Sequence, residues 1–261
     1  MSNFILGDLN TKFKVGSADC RVYLGDTCVY SGDTPTPHDY SQDYLTFRAL
    51  EDGTFSFGNN IEYSLDSGST WVTLPSGTAS PTVTSGNTIL WKASGLTPTS
   101  SSGIGIFSST RSFEVEGNIM SLLYGDNFVG QVDLSGKNYA FYVLFKRCTG
   151  LVNAENLVLP AMTLAENCYK QMFSVCSSLT TAPVLPAKTL TKFCYQQMFV
   201  NCTSLNSITC LATDISATYP TWSWTSSVAA SGTFTKAASM TGWTSGDSGI
   251  PSGWTVVDYS G

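Results

Sequence analysis

Residues 159–184 (LPAMTLAENCYKQMFSVCSSLTTAPV) and 185–210 (LPAKTLTKFCYQQMFVNCTSLNSITC) are two copies of one sentence with a period of 26 residues. A fixed period of this size belongs to stacked supersecondary units, each burying its apolar face against the next. It confines the chain to an extended, modular architecture and points away from an enzyme.

A third, degenerate copy lies upstream. Phe141, Leu144, Phe145, Cys148 and Leu151 fall 28 residues before Tyr169, Met172, Phe173, Cys176 and Leu179, with Asn156 and Leu157 as a local insertion. Three copies reach the usual minimum for a stable stack, the degenerate one serving as N-terminal cap. Within a unit, apolar residues at 164, 168, 169, 172, 173 and 176 predict a helix. The following L-x-x-A-x-V, Leu179, Ala182 and Val184, predicts a short inward-packed strand stopped by Pro186. Cys210 takes the place of Val184 as a small buried hydrophobe. Asn153, Glu155, Thr181, Pro183, Ser207 and Thr209 are left as a polar outward strand face.

The unit C-Y-x-x-M-F-x-x-C-x-S-L-x-x-A-P-x-L-P-A resembles the leucine-rich repeats of the BspA-like class, found in surface adhesins of gut and oral bacteria and in proteins of their phages. The resemblance is strong over about 135–215. The segments GTF-T-K from Gly232 and WTSGDSGIPSGWTV from Trp243 are similar to the closing segment of such arrays. It implies a binding surface and a virion or adhesin role.

The rest of the chain divides by composition. KFKVGSADCRVYLGDTCVYSG alternates around Gly25-Asp26 and predicts a hairpin-containing β-module at 1–33, similar to short N-terminal anchors of phage structural proteins. DTPTPHD makes 34–39 a linker. Short strands such as YLTFRAL, IEYSL, TILWKA and SFEVEG, with turn signals between them, predict an immunoglobulin-like β-sandwich at 40–118. A docked connector (119–136), the repeats (137–215) and a C-terminal cap (216–261) follow. The expected fold class is mainly β and multidomain, ending in a short leucine-rich-repeat solenoid of α/β repeats.

Only 12% of the chain is charged, the net charge is −6, and the acidic residues are scattered, which argues against nucleic acid as a partner. No apolar run approaches the ~20 residues that span a bilayer, so membrane insertion is not expected. MSNFILGDLNTKFK lacks the basic start and apolar core of a secretory signal. The expected location is therefore the surface of a phage virion, after folding in the host cytoplasm. The alternative is a bacterial cell surface.

Three features invite chemistry. Ser64-Leu65-Asp66-Ser67-Gly68-Ser69-Thr70-Trp71 matches the Asp-box of sialidases and other propellers, but a propeller needs several boxes and there is one, so a structural turn is expected. Cys20, Cys28, Cys148, Cys168, Cys176, Cys194, Cys202 and Cys210 include no C-x-x-C pair, and five recur at fixed repeat phases. Buried thiols are expected over disulfides or metal, with serine at 176 burying an ill-satisfied hydroxyl. His38, the single histidine, sits in the linker, so no catalytic residues, metal ligands or cofactor are assigned.

Candidate ligand-binding residues are Tyr219, Trp222, Trp224, Trp243 and Trp254, flat rings among hydroxyl-rich segments that either stack on sugars or seal the end of the array. Phe13, Val15, Val22, Tyr23, Leu24, Val29 and Tyr30 are candidate anchor contacts, since 33 residues bury too little core alone. They imply a homo-oligomer, with a trimer expected from fibre symmetry, and a capsid or tail partner. A host-surface glycan or protein is the expected ligand of the tip.

Overall fold

The structure, a computed structural model, describes residues 21–24, 27–31, 38–109 and 111–260. The chain divides into two compact units, Met1–Asp39 and Tyr40–Gly261. In the first, β1 (Arg21–Leu24) and β2 (Thr27–Ser31) pair antiparallel with Leu24 opposite Thr27, the hairpin that the alternation around Gly25-Asp26 predicts. Phe13 and Val15 lie outside the described residues. Of Val22, Tyr23, Leu24, Val29 and Tyr30 the strand pairing is described and the side chains are not.

The second unit is mainly β. Its strands are β3 (Leu45–Ala49), β4 (Ser56–Phe57), β5 (Ile61–Ser64), β6 (Val72–Leu74), β7 (Thr88–Lys92), β8 (Phe107–Ser108) and β9 (Phe113–Asn118). They continue with β10 (Leu151–Asn153), β11 (Leu157–Val158), β12 (Ser207–Cys210), β13 (Thr233–Lys236) and β14 (Thr255–Asp258). β9, β3, β7, β5 and β6 form an antiparallel sheet in that order. Among the described residues, the layer opposite it is the two-stranded ribbon β4–β8, smaller than the second sheet of the expected sandwich. Phe47, Phe55, Trp91, Phe107 and Phe113 interlock between these layers at ring distances of 4.7–6.5 Å.

β9 is the hinge of the architecture, because its free edge takes two parallel strands. β10 pairs with its start, and β11, which contains the inserted Leu157, pairs with Gly117 and Asn118. From β10 the parallel pairing steps on through Thr181 to β12, β13 and β14. One apolar core runs from Leu45 to Trp254 without a break at residue 118 or 137. The expected boundaries within 40–261 thus do not separate folding units: a shared sheet and core join them.

We call the rungs of this stack coils: 137–158, 159–184, 185–210, 211–236 and 237–258. The helix expected over 164–176 is absent; among the described residues, α-helix is confined to α1 (Ser121–Tyr124). In its place run successive tight turns. The N–H groups of Cys168, Lys170, Met172, Ser174 and Cys176 donate to the carbonyls three residues back. Those of Asn167, Tyr169, Gln171, Phe173 and Val175 donate instead to the next coil, at Lys192, Cys194, Gln196, Met198 and Val200. A helix satisfies its N–H groups internally, whereas here every second one is exported sideways. Alternate turns require a left-handed residue at their third position, supplied by Asn167, Gln171 and Val175 at φ of 59°, 55° and 65°.

The same geometry holds at Tyr139, Val143 and Arg147, at Phe193, Gln197 and Asn201, and at Tyr219, Ser223 and Ser227. The repeat therefore continues past residue 215 into the region expected to be only a cap. Left-handed Val and aromatic residues cost on the order of 1–3 kcal/mol each, and the inter-coil hydrogen bonds hold them there. Inside the strand half, Leu179 and Ala182 are buried as expected. Val184, however, is 41% exposed, Pro183 is buried and not outward, and Leu185 takes the inner place beside Cys210.

The Asp-box is the turn between β5 and β6. The Asp66 carboxylate accepts from the Ser64 hydroxyl (2.7 Å), the Thr70 N–H (2.8 Å) and the Thr70 hydroxyl (2.7 Å). Trp71 packs edge-on against Tyr44 and lies under the Lys92 ammonium, 4.3 Å from the ring centre. The Thr70 N–H bond, with the two hydroxyls, holds the Asp66 pKa down at about 2. A carboxyl depressed by folding stabilises the turn at every pH above its ordinary value near 4 and loses that contribution as pH falls through about 2. Carboxyl-carbon NMR should give Asp66 a midpoint near 2; a midpoint at the ordinary value would mean that the three bonds do not hold it in solution.

Candidate ligand-binding face

Two aromatic columns run through the coils. Phe107, Phe145, Phe173 and Phe199 stack at 5.7, 5.4 and 5.6 Å with planes within 15°. Phe141, Tyr169 and Tyr195 stack beside them at 5.5 and 5.9 Å. Both columns end on Trp224, which lies 6.3 Å from Tyr195 and 6.2 Å from Phe199. Trp224 has no exposed surface and donates its indole N–H to Gly249 O at 2.8 Å. Half-buried Trp243 lies parallel to it at 5.5 Å, and Trp254 is buried with its N–H on Ala229 O. These three of the five candidate rings close the core.

The other two candidates face solvent together: Tyr219 is 62% and Trp222 46% exposed. They end two files of outward residues that share repeat phases. One file is Tyr139, Phe193 and Tyr219, interrupted at the second coil by Asn167, which is buried; its neighbour is Tyr142, Lys170, Gln196 and Trp222. Phe193 stacks under Tyr219 at 6.1 Å and 8°, and Tyr139 meets Tyr142 at 5.7 Å. The Lys170 ammonium sits between Tyr142 (6.0 Å) and Phe193 (5.7 Å), and burial there lowers its pKa. Lys192 also covers Phe193, at 5.2 Å, and pairs with Glu166 at 3.0 Å. Alongside, Lys146 donates to the Gln171 side chain (3.1 Å), which donates to Gln197 (2.8 Å).

This face offers open rings, amides and ammonium groups on a rigid lattice, a set suited to holding a hydroxylated ligand. Reading the two tandem copies for outward phases, as well as for core phases, would have marked Phe193, Lys170, Gln171 and Gln197. The outward strand positions Asn153, Thr181 and Ser207 align with Thr233 and Thr255 across the parallel sheet, a flat polar surface without an anchoring ring.

The cysteines form ladders inside. The thiols of Cys148, Cys176 and Cys202 lie 3.1, 3.0 and 3.0 Å from the carbonyls of Phe107 in β8 and of Phe145 and Phe173 one coil back. Burial drives the Cys176 pKa far up, and those of Cys148 and Cys202 to about 12. The acceptor changes the expectation for serine at 176: its hydroxyl inherits the Phe145 carbonyl, so Cys176→Ser should cost only about 1 kcal/mol in a denaturation curve. A bulky maleimide at mildly alkaline pH should leave all three thiols unlabelled until the protein is unfolded. Prompt labelling of the native protein would contradict the burial.

Among the described residues no three His, Cys, Asp or Glu side chains gather into a metal-binding group, and no helix is long and apolar enough to cross a membrane. His38 lies at the end of the first unit. Comparison with family models, curated proteins and solved structures finds no match for this chain.

Proposed function

We propose that the chain is a non-enzymatic structural protein of a phage virion, a head fibre, capsid decoration or tail-associated component, whose repeat tip binds a host-surface glycan or protein. In this reading the coils are leucine-rich repeats of the BspA-like class set on an immunoglobulin-like module. Residues 1–33 attach the molecule to a capsid or tail protein and assemble copies of it, with a trimer as the expected state. The observation that carries the binding role is the outward pair Tyr219 and Trp222, held at the end of an ordered file on a backbone whose hydrogen bonds are committed to neighbouring coils. Exposed rings of this size on a rigid support suit recognition better than solubility.

Two measurements separate this from its alternative, a bacterial cell-surface adhesin. Antibodies against the repeat face should decorate intact phage particles and leave uninfected cells unlabelled; the reverse pattern would replace the virion by the adhesin. On an array of bacterial surface glycans and proteins, bound ligands should be lost by the variant Tyr219→Ala/Trp222→Ala with its melting temperature unchanged. Binding that is indifferent to both substitutions would remove the tip as the recognition surface.

A further inference from the structure

The charges of this chain are segregated along its sequence. Between Lys137 and Asn201 stand six of its 13 Lys and Arg residues but only two of its 19 acids, an excess of four positive charges in a chain of net −6. The segment is the stretch that builds the outer turn face. Lys170 and Lys192 lie against its rings, Lys137 lies 5.1 Å from the Tyr124 ring, and Lys146 starts the amide file through Gln171 and Gln197. Among the described residues the only ion pair on this face is Lys192 with Glu166. Lys146 also borders, with Arg147, an open cleft of about 490 Å3 lined by Phe55, Ala79 and Ile106 as well as by Thr54 and Ser108, so the file begins beside a second recess that carries cationic groups.

Resting on the binding role argued above, we propose that this face takes a carboxylate-bearing polysaccharide, laid across the coils from Tyr139 and Tyr142 to Tyr219 and Trp222. Each part of the face has a counterpart in such a polymer. The rings take the C–H faces of pyranoses, the amides of Gln171 and Gln197 exchange hydrogen bonds with hydroxyls, and the lysines answer the carboxylates. Neighbouring strands lie about 4.8 Å apart, of the order of one pyranose in an extended chain, so successive coils address successive sugars. Nucleic acid is a poorer occupant. Its phosphates call for a dense cationic groove, whereas here the lysines are interleaved with amides on an outward face.

The test uses the full chain in affinity electrophoresis through gels containing polygalacturonate, neutral dextran or oligothymidylate. Polygalacturonate should retard the protein at low salt and much less at high salt, with dextran giving no retardation. The double variant Lys170→Gln/Lys192→Gln should bind about tenfold more weakly, the scale of losing one or two partly desolvated charge contacts. Lys236→Gln, whose ion pair with Asp258 lies at the β13–β14 edge, should bind as the parent does. Equal retardation by dextran, tighter binding of oligothymidylate, or an unweakened double variant with unchanged melting would each overturn the proposal. Array hits confined to neutral glycans and dependent on Tyr219 and Trp222 would do the same while leaving the binding role intact.

Discussion

Replacing Trp224 by alanine should cost about 3–5 kcal/mol of unfolding free energy, the range for deleting a fully buried large aromatic side chain. The site has no slack to absorb the loss. Trp224 is the common end of both internal columns, resting on Tyr195 and Phe199, and it carries Trp243 on its other side and Phe234 at its edge. Truncation would empty that junction and leave the Gly249 carbonyl without its indole donor. Trp224→Phe keeps a ring in the junction and loses the hydrogen bond, so it should cost clearly less. Trp222→Ala, two residues away but 46% exposed, should stay within about 0.5 kcal/mol of the parent. Guanidinium denaturation of the three variants checks the ranking. A Trp224→Ala loss no larger than that of Trp222→Ala would mean that the columns do not converge on this ring.

The repeat and its core phases were legible in the sequence because identical residues recur at one period, and every core position read from the tandem copies between Leu164 and Leu179 is buried. The helix misreading came from the same residues. Apolar positions at 164, 168, 172 and 176, and at 165, 169 and 173, repeat at four residues. On a helix of 3.6 residues per turn that spacing drifts about 40° per step, or about 120° over the run, so it suits straight files down a ladder of turns better than a helical stripe. The fourth coil was hidden because it keeps the geometry and changes the alphabet: Trp224 stands at the phase of Met198, Thr225 at that of Phe199 and Val228 at that of Cys202. The outer face was partly legible. Tyr219 and Trp222 stand among the five candidate rings, but exposure cannot be read from a ring alone, and Trp224, Trp243 and Trp254 have the same composition around them. What separates them is phase, which becomes usable only once the repeat is extended past residue 215.

Gly150→Ala should destabilise the second unit by about 1–3 kcal/mol or more, as overpacking in a closed site does, and it should do so at one place. Gly150 stands at the entry to β10, where the antiparallel sheet hands over to the coils. A Cβ there would run into the Arg111 carbonyl, meeting its carbon at 2.6 Å. Backbone cannot yield as the tip of a side chain can, so β10 must move off β9. The Phe113 N–H then loses the Gly150 carbonyl, now 2.9 Å away, and the pairing of Leu151 with Phe113 goes with it. Because β9 is also paired to β3 and receives β11 further along, the two halves should remain attached but open locally. Hydrogen exchange should show lost protection at Phe113 and Leu151, with the amides of Phe173 and Phe199 still protected deep in the stack. The same substitution at Gly136, whose Cβ would meet nothing within 4 Å but whose φ is +74°, tests left-handed backbone without a clash. If Gly150→Ala exchanges as the parent does at Phe113, the close approach of these two strands does not exist in solution, and the shared sheet cannot be what makes one body of residues 40–261.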